Sequence, residues 1–89
     1  MANVKIPDVL ERLSGGRRII EVKGATLIEA LDNLEEKLPG IKERLIEDGE
    51  IRHFINVYVD GEDVRFTDGL NTIIDEKSEI TILPAVAGG

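Results

Sequence analysis

An α+β domain, built as a mixed five-stranded sheet with one main helix packed on one face, is predicted for this chain by three observations. Short stretches of alternating apolar and polar residues lie on both sides of one long amphipathic segment. That segment, from Leu27 to Leu38, carries an unbroken apolar stripe. The 89 residues leave room for a single hydrophobic core. Residues 1–84 are expected to form the domain and residues 85–89 a tail.

Val4 and Ile6 flank Lys5 in a first strand that Pro7 ends, and Ile20 and Val22 flank Glu21 in a second that begins near Arg18. Ser14-Gly15-Gly16 turns the chain between them. The conformation of residues 8–13 stays open, with Val9, Leu10 and Leu13 available to bury. Thr26 and Glu29 have capping-box spacing, so a helix starts there. Leu27, Ala30, Leu31, Leu34 and Leu38 then share one face while Asp32, Glu35, Glu36 and Lys37 meet water, until Pro39-Gly40 ends the helix. Ile41, Leu45 and Ile46 predict a short second helix before Asp48-Gly49. A strand from Phe54 to Val59 leads through Asp60-Gly61, the dipeptide of a type I′ hairpin, into a returning strand from Glu62 to Phe66. Ile73 and Ile74 fall in a connecting loop. Glu79 to Leu83 alternates as the last strand, closed by Pro84, which lacks an amide hydrogen and tends to end ladder pairing. The order is β, β, α, β, β, β, which suits a mixed sheet with one covered face.

Composition removes several classes of function. Net charge is −7 and the pI about 4.6, a field against which Arg17-Arg18 is too small a basic cluster to hold nucleic acid. The acidity is expected to keep the domain soluble and to steer it to a basic partner surface. Cysteine is absent and His53 is the one histidine, so no disulfide, thiol site, metal cluster or bound cofactor is expected. No apolar run approaches the roughly 18 residues of a membrane span, and a cytoplasmic protein, monomeric when free, is expected.

The stretch richest in chemical information is the last one, where Gly88-Gly89 follows Ile80-Thr81-Ile82-Leu83-Pro84-Ala85-Val86-Ala87. Two residues without a Cβ make the thinnest peptide available, able to enter a slot that any side chain would block. The Gly89 carboxylate is therefore the candidate reactive group, with Pro84, Ala85, Val86, Ala87 and Gly88 as an arm inserted into a partner. The alternative is an ordinary frayed end. Ser14 and Ser78 show no base partner, so no residue is assigned as catalytic, and a group handed to another enzyme fits better. Extended, the five residues from Ala85 reach about 17 Å. Ordering them costs about 1 to 2 kcal/mol each, which small side chains recover poorly, so the folded body is expected to dock as well.

With Ile55, Val57 and Val59 toward the helix, Phe54, Asn56 and Tyr58 face the other side of the sheet, and Leu83 joins them by the same alternation. A partner-docking patch of Phe54, Tyr58 and Leu83, extended by Phe66, is the functional reading. Ordinary cross-strand pairing is the alternative. Arg65 either meets a partner carboxylate or is balanced locally by Asp63. His53 is expected to be structural or solvated. Asp60-Glu62-Asp63 and Asp75-Glu76 form either a solvated face or a contact for a basic partner.

The element order and the ending Thr81-Ile82-Leu83-Pro84-Ala85-Val86-Ala87-Gly88-Gly89 resemble the ubiquitin-like sulfur-carrier family of the MoaD, ThiS and CysO type. His53-Phe54, Asn56-Val57-Tyr58-Val59, Glu62 to Phe66, Gly69-Leu70 and the tail are most similar to the actinobacterial carriers used in cysteine synthesis. The resemblance implies a β-grasp fold. It also implies that an adenylating enzyme of the MoeB, ThiF or MoeZ kind uses ATP to activate Gly89, and that sulfur displaces AMP to leave a thiocarboxylate. A pyridoxal-phosphate-dependent synthase resembling cysteine synthase would accept the sulfur, and a JAMM-type metalloprotease would release the product. The carrier itself would not be an enzyme. Pro84 is followed by Ala85, where molybdopterin-type carriers commonly have a second proline. The open alternatives are a molybdopterin-synthase small subunit or other thiolation carrier, a modifier conjugated through Gly89, and a plain interaction domain.

Overall fold

In the computed structural model, which describes residues 1–84, strand β1 (Ala2–Lys5) and strand β2 (Ile19–Val22) pair antiparallel. They bury Ala2, Val4, Ile20 and Val22 and turn the intervening residues to solvent, which is the alternation that predicts them. β1 ends one residue earlier than expected, although Ile6 stays buried and its amide bonds the Arg18 carbonyl at 2.7 Å. The segment left open by the sequence is a 3-10 turn, Asp8–Leu10, followed by a single helical turn, α1 (Glu11–Ser14). The Ser14 hydroxyl lies 2.9 Å from the Glu11 carbonyl and 2.6 Å from that of Arg17, which locks the turn into β2.

Helix α2 (Leu27–Lys37) starts where the capping residues place it. The Thr26 hydroxyl accepts from the Glu29 amide at 3.4 Å, while the Glu29 carboxylate accepts from Ala25 at 3.0 Å, one residue earlier than a standard capping box. Leu27, Ala30, Leu31 and Leu34 are fully buried against the sheet. α3 (Ile41–Leu45) follows, and the Glu35 carboxylate accepts the Gly40 and Lys42 amides, both at 2.8 Å, at its start. Ile46 is not part of that helix. It opens β3 (Ile46–Glu47), which pairs with β4 (Glu50–Ile51) across Asp48-Gly49. Two-residue strands are too short to carry a periodicity, so the sequence shows only their turn.

The remaining strands are β5 (Ile55–Val59), β6 (Glu62–Asp63) and β7 (Glu79–Pro84). The main sheet runs β2-β1-β7-β5-β6, with β1 and β7 parallel and the other pairs antiparallel, so it is mixed as predicted. Asp60 and Gly61 both adopt positive φ, 52° and 86°, as a type I′ turn requires. Phe54 lies just before β5 and not within it.

Two expectations are corrected. The returning strand does not reach Phe66, because Val64–Phe66 forms a 3-10 turn. Asp63 accepts the Arg65 amide at 2.9 Å, which caps a tight turn in place of an extended strand, and Val64 drops into the core. Pro84 does not end the pairing either, since it stands opposite Ile55. The Asp60 amide bonds the Glu79 carbonyl, and alternating from there makes Pro84 and Ile55 a pair that exchanges no ladder bonds. A missing amide hydrogen costs nothing at that position.

Candidate functional site

β7 lies between β1 and β5, so the last described residue, Pro84, stands at the middle of the sheet's end, the exit point for whatever follows it. Around that exit stand the end of β1, the start of β5 and the turn entering β2, because β1 runs parallel and β5 antiparallel to β7. The expected arm of Ala85, Val86, Ala87, Gly88 and Gly89, and the boundary after residue 84, lie outside the described residues.

The core contains no aromatic residue among the described ones, and all three aromatics of the chain stand outside it. Phe54 is 57% and Phe66 86% exposed, Leu83 is 44% exposed, and Tyr58 is half-buried. Tyr58 and Leu83 share the open face of the sheet. Leu83 is opposite Asn56 and Tyr58 opposite Thr81, which makes Tyr58 and Leu83 diagonal neighbours across two paired strands. Phe54 sits beneath the Arg52 guanidinium, 5.9 Å from its ring centre, in cation–π geometry. Arg52 is itself held by the Glu43 carbonyl at 3.0 Å and the Glu47 carboxylate at 3.3 Å. The three aromatic residues are thus separate stations outside the core, with Phe54 just before β5, Tyr58 within it and Phe66 in the turn after β6.

Arg65 is committed to the fold. Its guanidinium donates to the Asn56 side chain and to the Ile55 and Arg52 carbonyls, while the Asp63 carboxylate stands 3.9 Å away. A longer β6 would have met the Ile55 carbonyl with a backbone amide, and Arg65 occupies that acceptor instead. The aromatic Phe66, next in sequence, is left pointing to solvent.

Two apolar residues that the sequence reading did not select stand at the same end. Val9 is 65% and Ile19 56% exposed. Val9, Leu83 and Pro84 line a shallow groove with Lys5, Pro7 and Arg18 beside the exit. Arg18 is tethered there by Asp8 at 2.8 Å and Glu11 at 3.5 Å. Ile19 was legible, since Ile20 and Val22 facing inward require it to face outward. Val9 was expected to be buried with Leu10 and Leu13, and this is corrected: one side of the short 3-10 turn faces the core, so Leu10 is buried while Val9 is turned to solvent.

Other candidates resolve as local structure. Asp60 accepts the Glu79 amide at 2.9 Å, Asp63 caps its own turn, and Asp75 accepts the Lys77 amide at 2.8 Å, so these carboxylates build turns. The Ser78 hydroxyl accepts the Asp75 amide, and Ser14 closes α1. His53 is exposed. Among the described residues, no group of three or more His, Cys, Asp or Glu side chains is placed to hold a metal. No described helix is long and apolar enough to cross a membrane.

Residues 4–89 match the ThiS family, a match that includes the diglycine. The chain is 44% identical over 89 residues to the sulfur carrier protein CysO of Mycobacterium tuberculosis, covering 97% of this chain and 96% of that one. Its structure matches CysO of Amycolatopsis orientalis, solved in complex with BexX, with a TM-score of 0.95 and 46% identity over all of both chains. Small archaeal modifier protein 3 of Haloferax volcanii is 40% identical over 65 residues, 73% of this chain and 71% of that one. With the β-grasp sheet, the central exit strand and a match spanning nearly every residue, the chain belongs to the ThiS family.

Proposed function

We propose that this protein is a sulfur carrier whose Gly89 carboxylate is adenylated and then converted to a thiocarboxylate that donates sulfur, with cysteine synthesis as the destination. The observation that carries the reading is the near full-length identity to the sulfur carrier protein CysO, together with a family match that runs through Gly88-Gly89. A central last strand supports it, because an arm leaving between two paired strands departs from a rigid base.

The chemistry needs little from the carrier. A carboxylate is a poor electrophile until one oxygen becomes part of a leaving group. The Gly89 carboxylate attacks the α-phosphorus of ATP held by an adenylating enzyme, pyrophosphate leaves, and an acyl-adenylate results. A sulfur nucleophile then adds to the carbonyl, AMP departs, and the thiocarboxylate remains. Two glycines let the end pass into a narrow active site, and the Phe54, Tyr58, Phe66 and Leu83 stations with the Val9 groove offer the body a second contact. The chain is carrier and co-substrate. It binds no cofactor of its own and works in the cytoplasm, where the ATP-using enzyme supplies activation and a synthase takes the sulfur.

Incubation with a cognate adenylating enzyme, ATP and a sulfur donor, followed by intact-mass measurement, tests the reading. Replacement of one oxygen by sulfur is expected, and it should vanish when Gly89 is deleted. Failure to form any adenylate at Gly89 would sink it. The likeness to an archaeal modifier protein favours one second reading, conjugation through Gly89 to protein amines. Heavier conjugates in protein isolated from the host would mark that outcome.

A further inference from the structure

β2 is an outer strand of the main sheet, and an outer strand presents a row of unpaired backbone groups to any second strand. The opposite edge, β6, ends after two residues, whereas β2 runs for four and begins at the exposed Ile19. Its backbone groups alternate in direction. The Arg18 carbonyl turns toward β1, where it accepts the Ile6 amide, so Ile20 and Val22 continue on that side and Ile19, Glu21 and Lys23 turn outward.

Two of those outward carbonyls are occupied. Lys37 Nζ donates to the Glu21 carbonyl at 2.6 Å, and Asn33 Nδ2 donates to the Lys23 carbonyl at 2.6 Å. Both side chains come from α2 and stand four residues apart on one side of the helix, beside its apolar stripe. The lysine bond is charge-assisted, the stronger kind. A second β2 brought up antiparallel about a two-fold axis through Ile20 would set each Ile19 opposite the other copy's Glu21. The bond that Glu21 would then accept must displace Lys37.

We propose that Lys37 closes this edge against a second copy of the chain, with Asn33 occupying the next outward carbonyl, so that the carrier does not pair with itself through β2. The test compares the full chain with Lys37→Ala, Asn33→Ala and the double variant by sedimentation velocity over a range of concentrations. Exchange of the Ile19 and Glu21 amides is followed by NMR alongside. The unaltered chain is expected to remain monomeric. Loss of the Lys37 bond is expected to raise the dimer association constant about tenfold, counting both copies, with new protection at those two amides, whereas Asn33→Ala alone is expected to change it little because Arg17, which would face the Lys23 carbonyl, already bonds Ser14. Lys37→Arg, which keeps a charged donor, is expected to stay monomeric. If the double variant does not fold, Lys37→Ala decides. A folded Lys37→Ala variant no more associated than the unaltered chain, or dimers without protection at Ile19 and Glu21, would overturn the proposal.

Discussion

The two faces of the sheet are made by the same strands and do opposite work. On the covered face Val4, Ile20, Val57, Ile80 and Ile82 are buried against Leu27, Leu31 and Leu34 of α2, with no aromatic residue among them. On the open face the alternate residues Asn3, Lys5, Asn56, Tyr58, Thr81 and Leu83 meet solvent, and Lys5 pairs with Glu79 at 2.8 Å. Aliphatic side chains make up this small core, and the larger aromatic groups stand outside it. Under the proposed function, stability and recognition are thus separated by a period of two.

Breaking the covered face has the largest expected effect. Leu34→Ala removes a fully buried side chain from the centre of α2 and is expected to cost about 2 to 5 kcal/mol, read from urea unfolding. Next comes the fastener between β5 and the turn after β6. Arg65→Met strips donors from the Ile55 and Arg52 carbonyls and is expected to cost about 1 to 2 kcal/mol. Arg65→Lys should restore only part of this, because an ammonium cannot span the same fork of acceptors.

A smaller effect belongs to Glu35. The Gly40 amide, and after it that of Lys42, hold the Glu35 carboxyl below the usual glutamate value. A lowered folded value means that the ionised form stabilises the fold above the ordinary glutamate pKa. That contribution disappears as pH falls through the lower, folded value. Thermal melts should therefore show a gap between the unaltered chain and Glu35→Gln near neutrality that closes in acid; a gap independent of pH would contradict this.

The open face sharpens the comparison from the other side. Phe66→Ala should change stability by no more than about 0.5 kcal/mol, since the ring is almost wholly exposed. Under the proposed function it should weaken productive docking on the adenylating enzyme, seen as a raised KM for the carrier. An unchanged KM would leave the aromatic station without a role there.

Much of this division is written locally. The alternation in Ile55 to Val59 and in Ile80 to Ile82, the stripe from Leu27 to Leu38 and the Asp60-Gly61 turn each depend on residues close in the chain, and each appears where the sequence puts it. The outward placement of Phe54, Tyr58 and Leu83 follows from the same periods. Where neighbours in space compete with neighbours in sequence, the local reading fails. Glu62 to Phe66 alternates like a strand, yet the Asp63 side chain takes the Arg65 amide and the Arg65 guanidinium takes an acceptor on β5.

The amino-acid sequence by itself determined the main helix, the centres of β1, β2, β5 and β7, which of their residues turn inward, and that the chain carries a diglycine after its last strand. Strand order, the parallel pairing of β1 with β7, the place of Pro84 in the ladder and the bonds from Asn33 and Lys37 to β2 were decided by the tertiary structure. Backbone periodicity is a property of adjacent residues, whereas pairing and capping depend on groups that only folding brings within hydrogen-bonding distance.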